Sequence, residues 1–459
     1  MTETFDLIVL GGGRAANLAI AAGKQGWKVA LIERDRLGGT CPNCGCVPSK
    51  LLIGFADAAR HAREAGRHFI DAEYKGADLR KIFDSVNEYV SGVDGRYQGR
   101  IEGADVTLIR GEGRFIGHKQ IEAGGRTLTA DKIVIATGSR PTPPPFANLP
   151  IWTSDNLFPL KDNPPRSMLV IGGGVIATEM AAFFAGVGVE TSLFARKDRL
   201  LAKEDSEIEA IFQKEFGKHV HTHFNSKIRH LTHADDEFTA TFETADGEKT
   251  FKAERVLFAI GRIPNSDMLE LEKSGFTTDR KGFIPVNEHL ETTVPGIYAT
   301  GDINGRYMLQ HAAAFEVQFL REKFLKGETA PIEESPVGHA VFSHPEVAAV
   351  GRTEDELKES GIPYVAVVED WLASARAMAL RIEYPRVKLL VSPDDYSILG
   401  CHLVGPESST LLHQVITVMK LKNDVRELAE TIYIHPALNE CLLAASVHAV
   451  EKVDEFRKS

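Results

Sequence analysis

The chain of 459 residues contains only five cysteines, has no excess of positive charge and has no long apolar run. Without about 18 consecutive apolar residues, no membrane-spanning helix is expected. Residues 1–6 include no lysine or arginine, so we expect no secretory signal and a cytoplasmic location. The formal charge of −11 comes without a basic stripe, which argues against a nucleic-acid partner.

The cysteines are too few, and odd in number, for a structural disulfide framework. They are Cys41, Cys44, Cys46, Cys401 and Cys441. Three lie within six residues, which favours a reversible catalytic pair over a structural bond. A content of 43 % hydrophobic and 25 % charged residues is ordinary for a globular protein. The length allows about three domains.

Two segments repeat the same pattern of strand, glycine turn, helix and strand. In the first, Gly11 and Gly13 follow the apolar run 7–10, and the next strand ends at Glu33. In the second, Gly172 and Gly174 follow the run 169–171. Such turns place a helix N-terminus against a pyrophosphate, and two of them predict two dinucleotide-binding domains.

The predicted fold class is α/β, with two Rossmann-like dinucleotide-binding domains and a C-terminal α+β domain. The proline-rich segment 139–145 indicates a domain edge. From about residue 336, strands and helices alternate without a glycine fingerprint, so this part is expected to serve assembly. We place the boundaries at 1–148, 149–266, 267–335 and 336–459, with the first and third segments forming one domain.

Cys41 and Cys46 are predicted to bracket a turn that enters a helix. Apolar residues give that helix a predicted buried stripe at Leu51, Leu52, Phe55, Ala58 and Ala59. A thiolate at a helix N-terminus is stabilised by the free N–H groups and the dipole. Lys50, four residues after Cys46, can share its face. The alternative is a pair of buried, inert cysteines.

Cys44 completes a C-x2-C-x-C pattern with these two thiols. Closed zinc sites need four ligands, usually with a second cluster, and none is evident. We therefore predict no metal site and interpret Cys44 as a space-filling residue, with a redox role as the alternative.

Segment 39–50 resembles the redox signature of the class I pyridine nucleotide–disulfide oxidoreductases. Segments 136–138, 172–177, 261–265, 300–302 and 435–440 match the family's other signatures in order, so the resemblance covers nearly the whole chain. It implies that the first domain binds FAD, the second binds NAD(P)H, and the third forms a homodimer with a shared active site.

The resemblance also assigns roles to individual residues. Cys46 would face the flavin and Cys41 would attack the substrate, while Lys50 and Glu179 would pair beside the flavin ring. Glu33 would bind the adenosine ribose of FAD and Asp302 its ribityl chain. The remaining cofactor-binding positions implied in this way are Thr40, Gly113, Ala136, Thr137, Gly138, Gly261 and Gln310.

His435 and Glu440 form the predicted acid–base pair. Breaking a disulfide expels a thiolate, and a histidine titrating near neutral pH can protonate it. A carboxylate behind the ring fixes its tautomer. The resemblance implies that this histidine serves the partner subunit's site. Taken alone, His-Pro at a helix start is also compatible with a structural role.

The residue at the end of the second domain's second strand is Ala195, where an acidic residue would accept the ribose of NAD. Arg196 and Lys197 follow, with Lys203 further on, and cations there suit a 2′-phosphate. NADPH is therefore the predicted nucleotide, and a solvated charged loop is the alternative.

The preferred interpretation is a homodimeric FAD enzyme that uses NADPH to reduce a low-molecular-weight disulfide through Cys41 and Cys46. The first helix has Ala21 and Ala22 where arginines could hold the carboxylates of glutathione disulfide, which leaves Arg14 as the nearby cation. One alternative is a dihydrolipoamide dehydrogenase-type enzyme running with NAD. Another is a thiol sensor or metal-binding protein on the same scaffold.

Overall fold

A computed structural model describes residues 1–146, 148–161, 163–333 and 335–458. The strands are β1 (Thr2–Leu10), β2 (Val29–Glu33), β3 (Thr107–Arg110), β4 (Gly113–Gly117), β5 (Gln120–Ala123), β6 (Arg126–Ile135), β7 (Ser139–Pro141), β8 (Ser167–Ile171), β9 (Glu190–Phe194), β10 (His221–His223), β11 (Lys227–Ala234), β12 (Glu237–Thr244), β13 (Gly247–Ala253), β14 (Arg255–Phe258), β15 (Arg262–Pro264), β16 (Ile297–Ala299), β17 (His339–Val341), β18 (Val347–Gly351), β19 (Val365–Asp370), β20 (Arg386–Val391) and β21 (Ile398–Val404). The helices are α1 (Ala16–Gly23), α2 (Thr40–Cys44), α3 (Cys46–Arg63), α4 (Leu79–Ser91), α5 (Val93–Glu102), α6 (Val175–Gly186), α7 (Ser206–Phe216), α8 (Gln310–Lys326), α9 (Glu354–Ser360), α10 (Ala375–Met378), α11 (Ser408–Leu421), α12 (Arg426–Ala429) and α13 (Glu440–Phe456). Short 3-10 helices lie at Ala65–His68, Leu271–Ser274 and Gly301–Asn304.

The first sheet has the strand order β3-β2-β1-β6-β5-β4, with β16 beside the second half of β6. Strand β1 is parallel to β2 and β6, and Leu10 lies opposite both Ile32 and Ile135. Residues 7–10 are at most 1 % exposed, as expected for a parallel strand covered on both faces. The loops that follow Leu10, Ile32 and Ile135 therefore meet at one edge of the sheet.

The second sheet repeats this arrangement in the order β10-β9-β8-β14, with all strands parallel. Ile171 of β8 lies opposite Phe194 of β9 and Phe258 of β14. The antiparallel sheet β11-β12-β13 packs against it, with the ring of Phe194 stacked on that of Phe242, 3.9 Å between centroids. The loops after β8 and β9 meet at the carboxyl edge of this second sheet.

The third sheet is antiparallel, in the order β17-β18-β21-β20-β19, and its core includes residues of α11 and α13. Cys401 of β21 and Cys441 of α13 are fully buried in that core. Strands β4 and β5 extend the first sheet in antiparallel fashion. The predicted fold class is thus confirmed: two α/β units built on parallel strands are joined to a C-terminal α+β unit.

Strand β16 returns to the first sheet, and β14 returns to the second sheet after the separate sheet β11-β12-β13. Strand β7 pairs antiparallel with β15 where the chain leaves the first unit and comes back to it. The third sheet begins at His339 and ends at Val404. The boundaries at residues 148, 266 and 335 fall between sheets, and as domain ends they stay a proposal.

A buried cluster of charges joins the second unit to the third. Lys388 of β20 is 1 % exposed, and its Nζ lies 2.9 Å from Oδ1 of Asp205 and 2.6 Å from Oε2 of Glu354. Asp205 is itself fully buried and caps α7 by accepting a backbone N–H. Nearby, Nε2 of His339 lies 2.8 Å from Oε1 of Glu204. Residues 204 and 205 are therefore held on the third sheet by two ion pairs.

Within the described ranges, no helix combines the length and the apolar character that crossing a membrane requires.

Candidate active site

The glycine turn after β1 brings the chain against the start of the loop after β6. Gly11 has a φ of +108°, a conformation that L side chains rarely adopt. A Cβ there would also overlap the carbonyl oxygen of Ala136. The sequence therefore needs glycine at this point, and the close approach leaves the edge of the first sheet open to a ligand.

Glu33 stands at the end of β2, beside this turn. Its Oε2 accepts a hydrogen bond from the N–H of Gly12 at 2.6 Å, and its Oε1 accepts one from Asp35 at 2.7 Å. Two backbone donors fix the carboxylate at the mouth of the cleft. This is the geometry that a ribose-binding carboxylate needs in a dinucleotide site.

Two adjoining cavities of about 210 Å³ and 70 Å³ open along the edge of the first sheet. The larger is lined by most of the predicted FAD positions: Gly11, Gly13, Glu33, Thr40, Ala136, Thr137, Gly138, Asp302 and Gln310. Gly113 lines the smaller cavity, which shares Gly11, Glu33 and Thr137 with the larger. The structure therefore brings these positions together in one elongated cleft.

Polar groups inside the cleft fit a dinucleotide such as FAD. The Thr137 hydroxyl is buried and has no hydrogen-bond partner among the described residues. Asp302 Oδ2 accepts a hydrogen bond of 2.5 Å from the hydroxyl of Ser139, which holds the carboxylate at the cleft wall. Buried polar groups without partners are rare, so the Thr137 hydroxyl points to a ligand that supplies one.

The redox segment differs from the predicted turn. Cys41 lies in the short helix α2, Gly45 interrupts the helical path, and Cys46 is the first residue of α3. The buried stripe of α3 also differs, because it runs through Leu52, Ala56 and Ala59.

Leu51 and Phe55, predicted to be buried, are 38 % and 37 % exposed, and Ala58 is exposed as well. The stripe that packs is set by α6, where Gly186 leaves room for Ala56. Leu52 and Ala59 are buried as predicted, so the predicted stripe was partly correct, and Ala56 completes it in place of Leu51, Phe55 and Ala58.

The thiols of Cys41 and Cys46 are both free, and they differ strongly in acidity. The pKa of Cys46 is lowered to about 7, first by the hydrogen bond from Cys41 and further by the charge of Lys50. The same hydrogen bond, followed by burial, raises the pKa of Cys41. At neutral pH about half of the reduced pair therefore exists as a Cys46 thiolate that accepts a hydrogen bond from the Cys41 thiol.

Cys44, three residues after Cys41, is buried and lines the larger cavity. Burial raises its pKa to about 11, so its thiol stays protonated and is a poor nucleophile.

Lys50 and Glu179 form an ion pair between α3 and α6. Nζ of Lys50 lies 2.7 Å from Oε2 and 2.9 Å from Oε1 of Glu179. Glu179 is 3 % exposed and also accepts the N–H of Phe342, whose ring lies 4.8 Å below Nζ of Lys50. Lys50 is thus held one helical turn from Cys46, where its charge lowers the pKa of that thiol.

His435 and Glu440 lie in contact in the segment that enters α13. Nδ1 of His435 is 2.7 Å from Oε1 of Glu440, while Oε2 accepts the N–H of Ala437. The hydrogen bond from His435 lowers the pKa of Glu440, which therefore stays ionised. The side chain of His435 is 74 % exposed and lines neither of the two cavities.

The second glycine turn follows β8 and resembles the first. Gly172 has a φ of +142°, and a Cβ there would overlap the carbonyl oxygen of Ala259, two residues before Gly261. Gly174 then precedes the first residue of α6. The turn, the loop after β14 and Glu179 on α6 lie at one edge of the second sheet.

The predicted 2′-phosphate site lies in the loop after β9. Ala195 is buried, and Arg196 and Lys197 are exposed. The loop folds back onto the glycine turn, where the N–H of Leu201 donates to the carbonyl of Gly173 at 2.7 Å. Lys203 is exposed further along, where its charge acts on the His339–Glu204 pair.

Two family models match this chain. The pyridine nucleotide-disulphide oxidoreductase model matches residues 5–316, and the model of that family's dimerisation domain matches residues 337–446. The chain belongs to the pyridine nucleotide-disulphide oxidoreductases. It is therefore an oxidoreductase that acts on a sulfur group, with FAD and NAD(P)H as cofactors and a redox-active disulfide. Its dimerisation domain makes the enzyme a homodimer.

Similar family members match over almost their whole length. The dihydrolipoyl dehydrogenase of Bacillus subtilis (strain 168) is 31 % identical over 454 residues, which cover 97 % of this chain and 96 % of the relative. The mitochondrial dihydrolipoyl dehydrogenase of Dictyostelium discoideum is 32 % identical over 467 residues, with coverage of 98 % and 95 %. Among solved structures, LpdA of Mycobacterium tuberculosis matches with a TM-score of 0.85 at 26 % identity, covering 96 % of this chain and 99 % of that one.

Sequence reasoning assigned no role to several residues that shape this family member's cleft. Asn265 donates to the carbonyl of Thr137 at 2.7 Å, and Arg262 donates to the carbonyl of Ser139 at 2.7 Å. Both residues lie in the 261–265 signature. The sequence motif was therefore identified, but not its role in holding the backbone of residues 137–139 in place.

Glu316 of α8 was missed entirely. It is 3 % exposed, and its Oε2 accepts hydrogen bonds from the N–H of Gly301 at 2.7 Å and from Thr300 and Asn304 at 3.0 Å. Burial raises its pKa. The available signal was an acidic residue directly between the apolar residues Phe315 and Val317. The carboxylate of Glu316 fixes the turn that carries Asp302.

Proposed function

We propose that this enzyme exchanges electrons between a pyridine nucleotide and a small neutral dithiol–disulfide couple of the dihydrolipoamide type, through Cys41 and Cys46. The observation that carries the proposal is the thiol pair itself, with a Cys46 thiolate stabilised by Cys41 and Lys50 beside the dinucleotide cleft. The sequence alone favoured an NADPH-dependent reductase of some other small disulfide. The relatives are named dihydrolipoyl dehydrogenase, and these names favour the dihydrolipoamide-type couple instead.

The residues of the chain account for each sulfur step. His435 of the partner subunit takes a proton from the first substrate thiol, and Glu440 stabilises the charged ring. The substrate thiolate attacks Cys41 of the disulfide, so that a mixed disulfide forms and Cys46 leaves as a thiolate. The second substrate thiol then attacks the first substrate sulfur and gives up its proton, and Cys41 leaves and takes up that proton. FAD, when bound, supplies the two-electron exchange between the reduced pair and the nucleotide.

Lys50 and Glu179 act on the leaving group in this sequence. Their contact fixes the ammonium one helical turn from Cys46, where it stabilises the expelled thiolate. In the reduced pair, the lower acidity of Cys41 keeps that thiol protonated. The two sulfurs therefore take different roles, with Cys41 exchanging with substrate and Cys46 exchanging electrons with FAD.

We further propose that the nucleotide is NADP(H). Ala195 offers no carboxylate for a ribose hydroxyl, and the exposed side chains of Arg196 and Lys197 stand at the end of β9. Arg199, which the sequence analysis did not include, is half-buried with its carbonyl beside Gly173. Cations in this loop match a 2′-phosphate. The cytoplasmic location also stays a prediction.

One assay matrix tests substrate and nucleotide separately. The purified FAD-loaded dimer is given dihydrolipoamide with NAD⁺ or NADP⁺, and then lipoamide, glutathione disulfide or mycothiol disulfide with NADH or NADPH. We expect the highest kcat/KM with the lipoamide couple in both directions, and higher values with NADP(H) than with NAD(H). Cys41→Ser is the matched inactive control.

The two proposals fail independently in this matrix. A higher kcat/KM with glutathione or mycothiol disulfide rejects the substrate, whichever nucleotide is used. Equal use of NAD(H) and NADP(H) rejects the nucleotide assignment and leaves the substrate standing. If no disulfide turns over, the chain is a thiol sensor or metal-binding protein on this scaffold.

A further inference from the structure

Three side chains distant from the redox pair converge where the three units meet. They are Glu64, directly after α3, His219, between α7 and β10, and His344, in the loop after β17. One ligand atom from each lies within 4.8 Å of the other two, and no other group of this kind occurs in the described residues. We propose that Glu64, His219 and His344 bind a divalent transition-metal ion of the Zn²⁺ class.

The geometry needs little adjustment to close around an ion. The imidazole rings of His219 and His344 are 4.9 Å apart between centroids and tilted by 52°. Tetrahedral zinc with bonds of about 2.0–2.1 Å separates its ligand atoms by about 3.3 Å. The three atoms therefore have to approach one another by about 1.5 Å or less, which side-chain rotation supplies.

Both rings are available as ligands. Neither imidazole makes a hydrogen bond to another group in the described part of the chain. A ring nitrogen of each histidine can therefore bind a metal ion, which coordinates the neutral imidazole.

The donor set selects the class of ion. Two imidazoles and one carboxylate suit Zn²⁺, Cu²⁺ or Ni²⁺, whereas Mg²⁺ and Ca²⁺ prefer oxygen ligands throughout. Three protein ligands leave a fourth position for water. His219 is exposed, while Glu64 and His344 are half-buried, so solvent reaches the site from one side.

The cations around the site oppose binding and provide a sharp test. Nη1 of Arg67 lies 3.2 Å from Oε2 of Glu64, and the charges of Arg60 and Arg67 also act on His344. A metal ion has to share or displace the Arg67 contact. Replacing Arg67 with glutamine should therefore strengthen metal binding, which no purely structural role of this cluster requires.

The experiment uses the oxidised, FAD-loaded dimer without a histidine tag, so that the Cys41–Cys46 disulfide cannot bind the metal. Zn²⁺ titration by calorimetry should give one site per chain. His219→Ala and Glu64→Gln should each weaken it by more than about tenfold. His221→Ala, an exposed histidine two residues further on, is the matched control and should bind as the native chain does. FAD content and unfolding temperature verify that each variant is folded.

A second readout identifies the ligands directly. Cu²⁺ bound at one equivalent should show the electron paramagnetic resonance splitting of two imidazole nitrogens, reduced to one in His219→Ala and in His344→Gln. Arg67→Gln should raise the Zn²⁺ affinity. Equal affinities in His219→Ala and His221→Ala, or a Cu²⁺ spectrum unchanged by both ligand substitutions, would overturn the proposal.

Discussion

Replacing Cys41 with alanine should raise the pKa of Cys46, because the Cys41 thiol makes the largest contribution to holding that pKa at about 7. Lys50 adds a smaller attraction and remains in the variant. We expect the pKa of Cys46 to move towards about 8.5, the ordinary value for cysteine. Cys41→Ser keeps a hydroxyl donor at the same position, so its Cys46 pKa should stay close to 7.

The substitution Cys41→Ala should shift the midpoint of the pH profile strongly, but it should change the alkylation rate at neutral pH much less. At about pH 7, a pKa of about 7 leaves half of the sulfur as thiolate, and a pKa of about 8.5 leaves about 3 %. The thiolate fraction thus falls about fifteenfold. Each remaining thiolate is about fivefold more nucleophilic, since reactivity rises with pKa. The alkylation rate at neutral pH should therefore fall only about threefold, and the midpoint of the pH profile is the decisive quantity.

The assay is alkylation of each reduced, FAD-loaded variant with iodoacetamide over a range of pH, with the Cys46 peptide quantified by mass spectrometry. Cys44 is an internal control, because it is buried with a raised pKa and should remain unmodified. If the alanine and serine variants share a midpoint near 7, the hydrogen bond from Cys41 is not the cause. Lys50 and the helix terminus would then set the acidity.

Arg196→Ala should lower kcat/KM for NADPH about ten- to hundredfold, the loss of one charge-assisted contact of about 1.5–3 kcal/mol, and leave NADH unchanged in steady-state assays. Mixing inactive Cys41→Ser and His435→Ala dimers should restore part of the activity after subunit exchange, because one site of each heterodimer has both native residues; no recovery contradicts the shared site. Lys388→Met should lower the free energy of unfolding by about 3–5 kcal/mol in denaturant titrations, since its buried partner Asp205 loses its counter-charge. The pKa of His339 is raised by its glutamate partner, so the stability it adds is complete below the unfolded pKa and lost as pH rises through the folded one. The unfolding temperature of His339→Gln should approach that of the native enzyme as pH rises from about 6 to 8, and a constant difference would contradict this.

The strands that enter the two glycine turns could be predicted because apolar runs followed by glycine turns are local patterns. Residues 7–10 and 169–171 are strands as expected, and each ends at its turn. The length of β1 was harder to predict from the sequence, since Thr2 at its start pairs with Thr127 of β6. That pairing depends on a segment 125 positions away, which no local pattern encodes.

In the redox segment, the residue types indicated the chemistry more accurately than they indicated the backbone structure. The spacing of Cys41 and Cys46 identified the thiol pair, but Gly45, which ends one helix and precedes the next, was not recognised as a break. Helical periodicity also allowed several faces of α3. The face that packs is selected by Gly186 of α6, a tertiary contact.

Residues that act through another residue were the hardest to find. Glu316 and Asn265 do not belong to any reacting group, and they hold the backbone of residues 300–304 and 137–138 in place. Their function becomes visible only when the segments they brace have been folded together. The resemblance to a known family supplied the reacting residues but not these supports.

The buried cluster of charges around Lys388 has a consequence for building hybrid enzymes. A nucleotide-binding unit exchanged for that of a relative brings its own residue to the position of Asp205, facing a lysine that has no access to water. An apolar or cationic residue there would leave Lys388 without its buried carboxylate. Hybrids made to alter nucleotide preference should therefore transfer residues 204–205 together with His339 and Lys388. The other design keeps all of these residues native and grafts only the loop at 195–199.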